Sequence, residues 1–127
     1  MSQKRTVLVI DDEESVADAL GIILDDSGYR STIALTGSDG LDKYDRQVFD
    51  VVITDLCLPD TSGLEVLTQI RRKGVACVVI VITAHGTPEL TARSLGLGAN
   101  AFLPKPFSPS ELLELIARLL PFGAPIG

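Results

Sequence analysis

Residues 50–67 read DVVITDLCLPDTSGLEVL. Val51–Thr54 is a short, β-branched, nearly continuous apolar run, the pattern of a strand buried on both faces in a parallel sheet. Asp55 closes the run. Ser62 and Glu65 then have the spacing of a capping box, and Leu64, Leu67 and Ile70 share one face of the helix it opens. The segment therefore reads as strand, polar loop, helix.

The same unit repeats outward in both directions. Further strands are expected at Thr6–Ile10, Arg30–Ala34, Ala76–Ile82 and Ala101–Leu103. Val16, Leu20, Ile23 and Leu24 share a helical face after the first, and Leu112, Leu115, Ile116 and Leu119 do so at the end. Ser108 and Glu111 form a second capping box, and Pro88 and Pro109 suit first helical positions, with Thr87 as a cap. Gly28 and Gly74 fall where helix ends want a left-handed residue. Strand and helix thus alternate five times, which predicts an α/β fold with a parallel sheet covered on both faces. The fourth helix, about Thr87 to Leu97, has few apolar anchors and is expected to be the most mobile. One domain over residues 1–120 is expected, with 121–127 a Pro/Gly-rich flexible tail or the start of a linker.

Of the 127 residues, 46% are apolar but only 5% aromatic, so Val, Leu, Ile and Ala must build the core. No apolar run approaches the roughly 20 residues of a membrane helix. Met1–Arg5 is polar and leads into an apolar stretch too short for a signal-peptide core, so a cytoplasmic protein without membrane contact is expected. The 17 acids against 11 Lys and Arg give a net charge of −6, which argues against direct nucleic-acid contact. Cys57 and Cys77 lack the spacing and partners of a disulfide or zinc site, and Cys77 reads as a buried strand residue.

In open parallel sheets, sites form beyond the carboxyl ends of the strands, where strand order reverses. Asp11 and Asp12 follow the first strand, Asp55 ends the third, Thr83 and Ala84 end the fourth, and Lys105 follows the fifth. In a 2-1-3-4-5 order the first and third strands are neighbours, so Asp11, Asp12 and Asp55 crowd one edge. Three carboxylates that close call for a hard cation with oxygen ligands, and Mg²⁺ fits. Lys105 and Thr83 then suit phosphoryl oxygens, and Asp55 suits a nucleophile toward phosphorus. Each residue alone has a plainer reading: acids favour helix starts, and a lysine before proline is ordinary surface. Their agreement at one end of one sheet favours the site.

The segments VLVIDDEE, DVVITDLCLPDTSGLEVL, VIVITAHG and AFLPKPF, in this order, resemble the receiver domains of two-component response regulators. The resemblance spans about Thr6 to Leu120 and implies a flavodoxin-like, doubly wound sheet of five parallel strands in the order 2-1-3-4-5, with five helices. It implies Asp55 as phosphoacceptor. It implies Mg²⁺ held by Asp12, Asp55 and the Cys57 carbonyl, with Asp11 acting largely through water. The Cys57 and Ala84 amides, Thr83 and Lys105 would hold phosphoryl oxygens, and the Lys105–Pro106 bond would be cis. Thr83 and Phe102 would form the switch that alters the face of the fourth helix, fifth strand and fifth helix. The plainer reading of Phe102 is a core or half-buried aromatic, and many members of the family carry tyrosine there. His85 reads as a solvated loop residue.

The resemblance further implies a donor phosphohistidine on a sensor histidine kinase or a histidine phosphotransfer protein, docking near Glu14 to Ile22. It implies a possible homodimer through the switching face. The chain would assist its own phosphorylation and slow hydrolysis, without turning over an external substrate. Two other readings compete. A degenerate receiver would bind partners independently of phosphorylation. An aspartate-nucleophile phosphatase of the haloacid dehalogenase type would show DxDxT after its first strand, where this chain has DDEES.

Overall fold

The computed structural model describes residues 4–74 and 76–120. In chain order these form β1 (Thr6–Ile10), α1 (Glu14–Asp26), β2 (Arg30–Ala34), α2 (Gly37–Arg46) and β3 (Val51–Asp55). They continue with α3 (Gly63–Arg72), β4 (Val78–Thr83), α4 (Pro88–Gly96), β5 (Ala101–Pro104) and α5 (Pro109–Leu119). All strand pairs are parallel, in the order β2-β1-β3-β4-β5. The expected architecture and strand order are those observed. The tail at 121–127 lies outside the described residues.

Burial follows strand position. β3 and β4 are buried along their whole lengths and β1 nearly so, whereas β2 and β5, at the edges, are mostly half-exposed. Successive side chains point to opposite faces. Leu8, Ile10, Val52, Val79 and Val81 pack with α2 and α3 through Tyr44, Leu64, Leu67 and Ile70. Val7, Val9, Ile53, Ile80 and Ile82 pack with α1 and α5 through Leu20, Leu24, Leu112 and Ile116.

The fourth strand begins later than the apolar run suggested. Its partner β3 starts at Val51, which pairs with Val78, and the Val78 amide donates to the Asp50 carbonyl. Ala76 and Cys77 lie before that register and have no facing strand. Cys77 is accordingly a half-buried residue ahead of β4 rather than a buried strand residue, with its Sγ 3.6 Å from the Tyr44 hydroxyl.

Helix starts are satisfied by side chains. Ser108 and Glu111 complete a reciprocal capping box. Ser62 accepts from the Glu65 amide, but the reverse bond is missing, because the Glu65 carboxylate instead takes the Gln69 side-chain amide one turn on. Thr87 caps α4, and Gly28 and Gly74 have φ of 94° and 74° at the ends of α1 and α3. Ser94 is the only buried residue of α4.

Candidate functional site

Strand order brings the expected polar residues together. β1 and β3 run side by side, with Ile10 opposite Thr54, so Asp11 and Asp55 emerge next to each other. One carboxylate oxygen from each of Asp11, Asp12 and Asp55 lies within 4.8 Å of the other two. Asp11 is fully buried, Asp55 nearly so, and Asp12 is exposed. The Asp11 amide is tied to the Ala34 carbonyl of β2 at 3.0 Å, and its Oδ1 accepts from the Glu13 amide.

Lys105 reaches this cluster from the far side. Its amide donates to the Thr83 carbonyl at 2.8 Å, which anchors it beside the end of β4. Its Nζ lies 2.8 Å from Asp55 Oδ2 and 2.9 Å from Asp11 Oδ2. Glu13 adds a carboxylate at 3.6 Å. Nothing in the sequence pattern around Glu13 assigns it to the site. The Lys105–Pro106 peptide is cis.

Burial pushes the Asp11 carboxyl above the ordinary carboxylate range, and the Asp55 charge adds to this, while the Glu13 amide and Lys105 oppose it. For Lys105, burial works against the charged form, but the bonds to Asp55 and Asp11 outweigh it, so its pKa is raised. Asp11, Asp12 and Asp55 with the Lys105 ammonium carry a formal charge of two negative, and Glu13 adds a further negative charge beside them. All-oxygen donors converging with that charge fit a small divalent cation.

The remaining expected residues lie on or just beyond β3, β4 and β5. The Cys57 amide donates to Asp55 Oδ1 at 3.1 Å, and the Cys57 thiol is exposed. Thr83 is buried at the end of β4, one residue past the partner of Asp55, and its Oγ1 accepts from the His85 amide at 3.1 Å. Ala84 and His85 follow it, both exposed. Phe102 lies on β5 opposite Val81 and is half-buried. A Cβ placed on Gly86 would come within 2.8 Å of the Phe102 ring and 3.3 Å of the Thr83 methyl, so that glycine lies close to both residues.

A family model described as the response regulator receiver domain matches residues 7–117. The chain belongs to that family. The receiver is 38% identical over 110 residues to the transcriptional regulatory protein DltR of Streptococcus agalactiae, covering 87% of this chain and 49% of that protein. It is 36% identical over 118 residues to the sensory transduction protein RegX3 of Mycobacterium bovis, covering 93% and 52%. The receiver thus spans about half the length of these relatives. A CheY-like receiver domain protein of Methanospirillum hungatei superposes with a TM-score of 0.88 at 32% identity, over 91% of this chain and 93% of that one. Among the described residues, no helix is long and apolar enough to cross a membrane.

Proposed function

We propose that this receiver accepts a phosphoryl group on Asp55 from a phosphohistidine and relays the event as a change of shape. The observation that carries the reading is the convergence of Lys105 Nζ on Asp55 Oδ2 at 2.8 Å, beside the Asp11–Asp12–Asp55 cluster. In the reaction, an Asp55 oxygen forms a bond to phosphorus as the phosphorus–nitrogen bond to the donor imidazole breaks. Lys105 offsets charge on the transferred oxygens, and the Cys57 and Ala84 amides with the Thr83 hydroxyl bind them. Asp12, Asp55 and the Cys57 carbonyl would hold Mg²⁺, with Asp11 acting through water. The bound ion supplies further charge neutralisation at the phosphoryl group.

Donor binding falls to α1. An apolar groove of about 530 Å³ runs between Val16, Ala19 and Leu20 on α1 and Pro106 and Phe107 beyond β5, with Lys105 at its rim. A sensor histidine kinase or histidine phosphotransfer protein presents its phosphohistidine there. Relay rests on Thr83 and Phe102: both lie close to Gly86, which supports a coupled rearrangement of the α4-β5-α5 face. Leu95 and Leu97, exposed at the end of α4, suit that face to a homodimer. The receiver unit is residues 1–120, it works in the cytoplasm without touching nucleic acid, and it turns over no external substrate.

Labelling with acetyl phosphate in the presence of Mg²⁺ tests the reading. The wild type is expected to be labelled, Asp55→Asn is not, and chelation of Mg²⁺ abolishes labelling. An unlabelled wild type supports a degenerate binding module instead, and sustained release of phosphate from an external ester supports a phosphatase.

A further inference from the structure

Three backbone amides open α2, and side chains satisfy them from two directions. Thr36 caps the Asp39 amide at 3.0 Å. The other two are taken by a residue far along the chain: Asp60 Oδ1 accepts from the Gly37 amide at 2.9 Å, and Oδ2 from the Ser38 amide at 2.8 Å. Asp60 sits at the tip of the loop between β3 and α3, five residues beyond Asp55. The loop's base is held by backbone bonds, from Leu56 to Ile82 and from Gly63 to Leu56. Its tip has a local bond, from the Leu58 amide to the Thr61 carbonyl, and the Asp60 bridge to α2. Contact at the bridge is tight, since a Cβ on Gly37 would lie 2.3 Å from the Thr61 methyl.

The same turn, residues 34–38, also holds the opposite wall of the acidic cleft. The Ala34 carbonyl accepts from the Asp11 amide. One loop carries Asp11 and Asp12, the other carries Cys57, and both are fastened to this turn. A closed ring of contacts therefore runs from Asp11 to Ala34, along the turn to Gly37 and Ser38, across to Asp60, and back through Cys57 to Asp55.

We infer that Asp60 is a positioning residue, which sets the gap between the acidic pair and the Cys57 carbonyl and so tunes affinity for the divalent ion. This rests on the receiver reading of the site. Supporting groups around a metal site commonly change affinity when removed, although they touch no metal. The two amides also hold the Asp60 carboxyl below its ordinary range, consistent with a carboxylate kept ionised for this bridge.

The test is an Mg²⁺ titration of the full chain followed by backbone-amide NMR shifts, with thermal melting of the metal-free protein alongside. Asp60→Ala is expected to weaken Mg²⁺ binding on the order of ten-fold. Asp60→Asn, which retains one acceptor oxygen and folds if the alanine variant does not, is expected to fall between. Thr36→Val removes the other cap of α2 and serves as the control: its melting temperature should drop while its Mg²⁺ affinity stays at the wild-type value. Unchanged affinity in both Asp60 variants overturns the inference and leaves the receiver reading standing, as does an equal loss in Thr36→Val. A wild type that binds no Mg²⁺ has a different signature and removes the receiver reading together with the inference.

Discussion

Arg71 Nη2, at the end of α3, donates to the side-chain oxygen of Asn100, 2.9 Å away at the entry to β5. The same guanidinium gives Nε to the Gly98 carbonyl and Nη1 to the Cys77 carbonyl, each at 2.9 Å. Asn100 in turn accepts from the Val79 amide at 2.8 Å. One side chain thus fastens the end of α3, the approach to β4 and the α4–β5 turn. Hydrogen bonds from a charged donor are worth about 1.5–3 kcal/mol when shielded and less at the surface. Arg71→Ala is expected to destabilise the fold by about 2–3 kcal/mol in urea unfolding. Arg71→Lys should recover less than half, since an ammonium cannot fork to three acceptors in one plane. A loss below about 0.5 kcal/mol would place this clasp among ordinary surface contacts.

Two glycines should respond to alanine in opposite directions. A Cβ on Gly63 would lie 2.3 Å from the Asp55 carbonyl oxygen and 3.0 Å from Leu56 Cα. These are backbone atoms of β3 and its exit, so the chain itself must shift. Gly63→Ala is expected to cost about 2–3 kcal/mol and to reduce labelling of Asp55. Gly96, the last residue of α4, has nothing within 4 Å of such a Cβ. Gly96→Ala is expected to stabilise the protein by about 0.5–1 kcal/mol through helix propensity. Denaturant midpoints of the two variants moving the same way would contradict the packing argument.

The part of this architecture that could be read in advance is the part that depends on pattern alone. Val7–Ile10, Val51–Ile53 and Val79–Ile82 are continuous because they occupy the three central strands, while the weaker Arg30–Ala34 and Ala101–Leu103 are the edges. Once the strands are parallel, their carboxyl ends share one rim, so Asp11, Asp55, Thr83 and Lys105 were visible as a group. Features that need a specific partner were not. The start of β4 is set by the register with Val51, and the half-formed cap at Ser62 reflects competition from Gln69 for Glu65. Asp60 and Arg71 carry no local pattern at all. Their partners, at 37–38 and at 77, 98 and 100, become neighbours only after the sheet order has been laid down.

Unequal burial of the helices predicts unequal dynamics. α1 buries Ala17, Leu20, Gly21 and Leu24, whereas α4 buries Ser94 alone and leaves Leu95 exposed. Local opening costs less where fewer apolar contacts must be broken. Amides of Thr91–Gly96 should therefore exchange with deuterium faster than those of Asp18–Leu24, at neutral pH and without phosphodonor. Equal protection in the two helices would show that α4 is held by something beyond its sparse core contacts.

Asp11 allows the cost of the acidic cleft to be measured. Burial raises its carboxyl pKa above 3.8, so the folded protein holds this proton more tightly than the unfolded chain does. For a raised pKa, the associated stability is fully present below 3.8 and is lost as pH rises through the folded value. At neutral pH the ionised Asp11 is then a net burden on the metal-free fold, even with Lys105 2.9 Å away. Asp11→Asn removes that burden and keeps an oxygen to accept from the Glu13 amide. Its unfolding midpoint in urea at pH 7, in chelator, should exceed that of the wild type, and the advantage should disappear below pH 3.8. Added Mg²⁺ should reverse the order at pH 7, because a ligand that binds only the folded state stabilises in proportion to its affinity. An asparagine variant less stable than the wild type in chelator would mean that the pairing of Asp11 with Lys105 outweighs its burial.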